Sequence, residues 1–462
     1  MSFLIALAAL GLLMFVAYRG YSVILFAPVC AMLAVLFTDP AAVPAMFTGV
    51  FMEKMVGFVK LYFPVFLLGA VFGKVIELSG FSKSIVAAVI KLIGRERAML
   101  AIVMVCALLT YGGVSLFVVV FAVYPFAAEM FRHSGIPKRL IPGTIALGAF
   151  TFTMDSLPGS PQIQNIIPTT FFKTTTWAAP WLGVIGAVFI LIVGLTYLEW
   201  RRRSAAAQGE GYGEGHINEP EPIAAEQLPN AFIALLPLVV VGVMNLVLVT
   251  LIPRFYGSTY SVRLAMAKPI VTQVSGIQAI WAVEGALLLG IITVLVFAFK
   301  AVKRKFAEGT KAAVGGSLLA SMNTASEYGF GGVIAALPGF LVIQNALQAI
   351  PNPLVNAAIT VTVLAGITGS ASGGMSIALA AMSDQFIAAA QANNIPLEVF
   401  HRVASMASGG MDTLPHNGAV ITLLMVTGLT HKTSYRDIFA VTCIKTVAVF
   451  VVIGVYYATG IV

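Results

Sequence analysis

Two stretches of this chain place acids, hydroxyls and amides among helix-breaking residues, in surroundings that are otherwise apolar. The first runs Thr151-Phe152-Thr153-Met154-Asp155-Ser156-Leu157-Pro158-Gly159-Ser160-Pro161-Gln162-Ile163-Gln164-Asn165. The second runs Ser408-Gly409-Gly410-Met411-Asp412-Thr413-Leu414-Pro415-His416-Asn417-Gly418. Proline removes an N–H and clashes with the turn before it. Non-helical backbone at membrane depth survives only inside protein or beside a water-filled cavity. A helix broken there exposes free N–H groups and a positive dipole end, which favour an anion. Ser156, Gly159, Ser160, Gln162 and Asn165 in the first break, with Thr413, His416 and Asn417 in the second, are therefore expected to bind a small carboxylate.

Asp155 and Asp412 are the most pointed residues of the two breaks. A charged carboxylate at the centre of a membrane helix costs roughly 2.5–3.5 kcal/mol on insertion scales. A carboxyl placed there suits reversible proton binding. The alternative is that each aspartate caps the half-helix that follows it. His416 either titrates near neutrality or only hydrogen-bonds. Glu327, in Ser321-Met322-Asn323-Thr324-Ala325-Ser326-Glu327, is a further candidate for proton coupling, with a plain helix–helix hydrogen bond as its alternative.

The elements that must hold these residues are membrane helices. Of the 462 residues, 59% are hydrophobic and 10% charged, against about 25% charged in a soluble domain. Apolar runs such as Ser2–Ala17, Trp181–Leu198, Phe232–Leu251 and Ile438–Tyr457 approach the ~20 residues that a helix needs to cross a bilayer. Alternating segments of about 10 residues, the mark of a closed barrel, are not the pattern. The first run lacks a basic start and a cleavage site, so it reads as a retained helix. The net charge of +8 sits in short loops, where it orients helices rather than binding nucleic acid. Cys30, Cys106 and Cys443 lie in apolar segments without C-x-x-C pairing and read as packing residues. No H-E-x-x-H or His/Cys cluster points to a metal, a cofactor or an enzyme.

Self-comparison sharpens the layout. Phe72-Gly73-Lys74-Val75-Ile76 recurs as Phe330-Gly331-Gly332-Val333-Ile334, and Gly112-Gly113-Val114-Ser115 as Gly373-Gly374-Met375-Ser376. Ile136-Pro137 recurs as Ile395-Pro396, and Met154-Asp155-Ser156-Leu157-Pro158 as Met411-Asp412-Thr413-Leu414-Pro415. All four recur in one order at a spacing of about 260 residues, the signature of an internal repeat. The expectation is an all-α integral membrane protein of two inverted repeats, 1–200 and 229–462. Each repeat holds five transmembrane helices and one re-entrant hairpin (98–131 and 354–391), with a discontinuous helix (138–170 and 396–429). Candidate helices also cover 58–78 and 312–350. The polar stretch 201–228 reads as a flexible linker. Lys and Arg in short loops place that linker in the cytoplasm and both termini outside. Inverted repeats with sites near the midplane are a recurring plan of secondary transporters.

Tyr111–Ser115, Met154–Asn165 with its Leu-Pro-Gly-Ser-Pro core, Gly373–Ser376 and Met411–Asn417 together resemble the gluconate permease (gluconate:proton symporter) family of the ion transporter superfamily. The resemblance extends over nearly the whole chain. It implies proton-coupled uptake of a sugar acid or short hydroxy acid across a bacterial inner membrane. It also implies a transport domain that moves like an elevator against a scaffold, in a homodimer. By the same resemblance the tips Gly112, Gly113, Ser115, Gly373, Gly374 and Ser376 face the substrate. The alternative is sodium coupling, as in related dicarboxylate carriers, but those show Ser-Asn-Thr at their tips where this chain has Gly-Gly-x-Ser.

Overall fold

The computed structural model describes residues 2–19, 21–114, 116–220, 228–263, 269–348, 350–415 and 417–462. Ser115 and His416 therefore lie outside the described residues. The chain begins with α1 (Ser2–Tyr18), α2 (Val23–Thr38) and the short α3 (Val43–Met46), then a π-helical turn at Phe47–Met52 that runs into α4 (Glu53–Leu78). Next come α5 (Phe81–Ile93), α6 (Ala98–Tyr111), α7 (Leu116–His133), α8 (Ile141–Ala149), the single turn α9 (Phe152–Asp155), α10 (Ile163–Phe172) and α11 (Pro180–Ala207). After α12 (Ala231–Tyr256), the strands β1 (Thr259–Val262) and β2 (Ile270–Gln273) precede α13 (Gln278–Lys303) and α14 (Phe306–Ala336). The rest is α15 (Pro338–Gln348), α16 (Pro353–Thr368), α17 (Ala371–Ala392), α18 (Leu397–Ser408), α19 (Gly418–Thr427) and α20 (His431–Thr459).

Among the described residues, five helical stretches are long and apolar enough to cross a membrane: Pro40–Leu78, Pro180–Ala207, Ala231–Tyr256, Gln278–Lys303 and His431–Thr459. The outward side chains fit a lipid solvent, with Phe37, Phe232, Phe255 and Val296 each more than 70% exposed. Such apolar exposure would be costly in water. The fold class expected from composition is thus what the structure has, with one addition. The strands form an exposed antiparallel ribbon, pairing Thr259 with Gln273 through Val262 with Ile270.

Three boundaries differ from the sequence expectations. The stretch assigned to 58–78 is the end of a helical run from Pro40. Residues 81–93 form a separate helix that mixes Lys83 and Lys91 with apolar residues, so it shows no long apolar run. The stretch assigned to 312–350 is two helices divided at Leu337-Pro338. Proline has no N–H to continue the ladder and instead opens the next helix.

After α4 the chain runs through a short helix, a helix pair (α6, α7), an interrupted helix (α8 to α10) and a long helix. After α14 it runs through the same series: α15, the pair α16 and α17, the interrupted α18 to α19, and α20. Packing follows that order crosswise. Helix α4 packs on α13 and α14 on α2; α5 packs on α12 and α15 on α1; α7 packs on α19 and α17 on α10; α8 packs on α20 and α18 on α11. The pairs α4 with α14 and α11 with α20 join like to like.

The polar stretch expected to be a flexible linker is ordered over its described part. Residues 201–207 extend α11, and 208–220 fold back against the ends of α7, α8 and α19. Glu219 pairs with Lys138 at 2.8 Å and with Arg132, and accepts from Tyr212 Oη at 3.0 Å. Asn218 O accepts from Tyr124 Oη at 2.6 Å, and Asn218 Nδ2 donates to Met425 O at 3.0 Å. Burial disfavours the Glu219 carboxylate, yet hydrogen bonds from Lys138, Tyr212 and Arg132 outweigh it and hold its pKa below the ordinary glutamate value. Polar composition excluded a core here but not docking, because basic groups on the helix ends supply the partners.

Candidate functional site

Both expected helix breaks are present. Helix α8 ends at Ala149, α9 is one turn, and α10 starts at Ile163; α18 ends at Ser408 and α19 starts at Gly418. Each half-helix has 9–12 residues, or about 14–18 Å at 1.5 Å per residue, short of a ~30 Å hydrocarbon core. The interrupted backbone is buried, as its unsatisfied groups require partners. Asp155 is 1% exposed, and Ser156, Ser160 and Asn165 are 0%.

In each half an amide from the break holds the tip of the neighbouring helix pair. Gln162 Nε2 donates to Thr110 O at 2.7 Å and to Val114 O at 3.4 Å. Tyr111 Oη donates to Pro158 O at 2.8 Å. In the second half Asn417 Nδ2 donates to Gly369 O at 2.7 Å. Its Oδ1 accepts from the N–H groups of Ala419 and Val420. Asn417 is therefore the N-cap of α19, worth about 1 kcal/mol, whereas α10 begins without a side-chain cap. The aspartates do not take the capping role: Asp155 Oδ1 accepts from Ser156 Oγ at 2.7 Å, and Asp412 pairs with Lys445.

The glycines at the tips allow close approach. A Cβ on Gly112 would overlap Leu238, and Gly113, at φ +92°, lies beside Phe72, Pro161 and Leu287. A Cβ on Gly374 would overlap the backbone of Ala365, so the pair α16 and α17 closes tightly. Gly159, at φ +76°, sits against the Trp177 ring, and its carbonyl accepts from Asn245 Nδ2 at 3.0 Å. Ser160 Oγ donates to Thr153 O at 2.8 Å. Thr413 Oγ1 lies 2.5 Å from Thr442 Oγ1. Ser376 is fully buried, and its Oγ has no partner.

The two breaks meet. Asp155 Oδ2 is buried without a hydrogen-bond partner and rests on Gly409, where a Cβ would overlap it. Asp155 O accepts from Arg402 Nη1 at 3.1 Å and from Ser405 Oγ at 2.7 Å, both from α18. Arg402 is wholly buried, and it also donates to Asn165 Oδ1 and to Ala178 O. Beside it, the His401 ring joins Asn165 Oδ1 at 3.2 Å and Thr174 Oγ1 at 2.6 Å. Asn165 Nδ2 donates to Ser160 O and Thr176 O. The Asp412 carboxylate bonds Lys445 Nζ at 2.5 Å, and the same ammonium donates to Phe150 O at 3.1 Å. Lys445 on α20 thereby clamps one break to the other.

Glu327 stands apart from this layer. It lies on α14, and its Oε2 is buried without a partner against Gly373 of the second helix pair.

Arg402, His401, Lys445 and Asn245 were not singled out in the sequence. A signal existed: each is a polar or ionisable residue inside an apolar segment, and such residues face a bundle interior or a functional path.

The whole length of the chain is 59% identical to a Bacillus subtilis (strain 168) protein named "Uncharacterized transporter YxjC", which it also covers in full. The chain belongs to that protein's family. No family model matches the chain.

Proposed function

We propose that this protein is a secondary active transporter that carries a small organic anion, a gluconate-like sugar acid or a short hydroxy acid such as 3-hydroxybutyrate, together with a proton. The observation that carries the reading is the meeting of the two helix breaks, with Asp155 Oδ2 resting unpartnered on Gly409. Its relative is named a transporter, and helical stretches long enough to span a bilayer surround the breaks.

Several features support an inverted repeat as the frame. The order of elements recurs after α14, and the helices pack crosswise between the halves. The uncapped start of α10 supports an anion as ligand, since its free N–H groups and dipole attract negative charge. Fixed cations add to this: Arg402 and Lys445 are both buried in the same layer. With Asp412 ionised and bound to Lys445, Arg402 is balanced when Asp155 is ionised. A proton on Asp155 Oδ2 then leaves one positive charge uncompensated, which a substrate carboxylate neutralises. Proton and anion thus load together because a buried unpaired charge of either sign is costly. Asp155 is the coupling residue in this reading, and Asp412 is a structural ion pair.

The helix pairs and the two breaks make up the moving domain, and α4, α12, α13 and α14 contribute to the scaffold of a homodimer in the bacterial inner membrane. Both termini lie outside and the 201–228 segment lies in the cytoplasm. Purified protein in liposomes tests coupling directly. Radiolabelled gluconate and 3-hydroxybutyrate are offered under an inward proton gradient or an inward sodium gradient. Uphill, saturable uptake that follows the pH gradient is expected. Uptake that needs sodium and ignores pH overturns proton coupling, and uptake that never saturates points to a channel.

A further inference from the structure

The tips of the two helix pairs are backed differently. The first, at Gly112 and Gly113, abuts the apolar side chains of Leu238, Leu287 and Phe72. The second turns at Gly369-Ser370, and just behind the turn Gly373, in the first turn of α17, abuts a carboxylate oxygen, Glu327 Oε2. Matching Phe72 with Phe330 puts Gly69 at the place of Glu327 in the first half, so one half alone carries the acid.

Glu327 is 3% exposed, and its Oε2 has no hydrogen-bond partner. Around it Thr324 Oγ1 lies 3.2 Å from Ser372 Oγ, and Ser370 caps α17 by accepting from Gly373 N at 3.1 Å. Helix α14 itself has Tyr328, whose ring lies against Phe58 and Phe171, with Glu308 and Lys311 near its start. Helix α4 brings Lys54 along Gly332 and Tyr62, whose ring lies against Phe58, and carries Glu53, Lys60, Lys74 and Glu77 elsewhere along its length. Helix α2 offers only Cys30, α17 has Asp384 toward its far end, α13 has Glu284, Lys300 and Lys303, and α15 has none. Among the described residues, Glu327 forms no ion pair.

We propose that Glu327 is a proton-operated latch: its protonated carboxyl lets the tip of the α16–α17 pair close on α14, and its deprotonation drives that tip open. A carboxylate sealed between helices, with the Ser370 hydroxyl beside it but no counter-ion, has lost its water without gaining an opposite charge, and it avoids that cost by holding a proton. Separating Gly373 from Glu327 admits water, and the proton leaves Oε2 to the side on which the tip opens. Glycine at 373 is required because any side chain would occupy the position of the oxygen. Closure is therefore tied to proton binding at a second carboxyl, apart from the anion layer. The latch rests on the proton-coupled reading, but its test needs no substrate.

The tip reporter is Ser372→Cys, labelled in liposomes by a membrane-impermeant maleimide and corrected for labelling of the parent protein's Cys30, Cys106 and Cys443. The labelling rate, corrected for thiol ionisation, is measured from pH 6 to 8 with Glu327 and with Glu327→Gln. The expected rate rises with pH with Glu327, by up to about tenfold per unit, as the ionised fraction of a single carboxyl does. With Glu327→Gln it changes less than about twofold per unit and stays low. Amide hydrogen exchange of residues 364–376, corrected for its intrinsic pH dependence, gives the same readout without an added cysteine. Equal pH dependence with Glu327 and with Gln, or none with Glu327, overturns the latch. Loss of pH-driven uptake by the wild type instead overturns the transport reading.

Discussion

The pair formed by Asp412 and Lys445 gives the sharpest test of the layer that joins the two breaks. Its N–O distance is 2.5 Å, and the side chains are 7% and 1% exposed. Asp412→Asn leaves the Lys445 ammonium buried beside the Phe150 carbonyl without a carboxylate. Removing one partner of a buried pair costs about 3–5 kcal/mol, whereas replacing both with uncharged groups of similar volume is often near neutral. Asp412→Asn is therefore expected to shift the folding equilibrium by about two to four powers of ten. The double variant Asp412→Asn with Lys445→Met should recover most of that, with a coupling energy of about 2 kcal/mol or more in the cycle. Equilibrium unfolding of the four proteins in one detergent measures both quantities. Uptake driven by a pH gradient should survive in the double variant. The reasoning is refuted if the single variant is as stable as wild type, or if the double variant is no more stable than the single.

Three further outcomes follow from the geometry. Asp155→Asn removes the carboxylate that balances the buried Arg402, so a loss of about 1–3 kcal/mol should appear in equilibrium unfolding, and pH-driven accumulation should vanish, as the proteoliposome assay reads. Gly409→Ala puts a methyl onto Asp155 Oδ2, so an overpacking cost of about 1–3 kcal/mol should appear in thermal unfolding, together with loss of most uptake. Docking of 208–220 should weaken in acid: Glu219 has a depressed pKa in the folded protein, so its contribution is complete above the ordinary glutamate value and is lost as pH falls through the lower folded value. Limited proteolysis of this segment with an acid-tolerant protease should rise across that window in wild type, whereas Glu219→Gln should be cut readily at neutral pH.

Much of the layout was legible because the signals were local. Pro158, Pro161 and Pro415 stand among glycines, hydroxyls and amides, and both breaks occur there, whereas Pro64, Pro125 and Pro237, flanked by apolar helix formers, sit inside continuous helices because a proline by itself removes only one N–H from the ladder. Gly112 and Gly113 stand at the turn between α6 and α7, but the turn of the second pair is at Gly369-Ser370; Gly373 and Gly374 lie in the first turn of α17, where they allow close helix approach. The docking of 208–220 was not legible, because composition says nothing of Arg132, Lys138 and Arg139, which are distant in sequence and pair with Glu210 and Glu219. Helix α5 was missed because its apolar residues are interrupted by lysines.

Sequence alone determined the chemistry available: helices by length and apolarity, breaks by proline and glycine, and a set of intramembrane acids. Tertiary structure decided which acid has which partner. Asp155, Asp412 and Glu327 look alike as isolated carboxyls in apolar segments. Lys445, which stands 33 residues from Asp412, ties down that acid alone. The other two carboxyls each end on a glycine of another element with an oxygen left unpartnered. A buried charge takes its character from the partners within hydrogen-bond reach, and those partners are assembled by folding rather than by position along the chain.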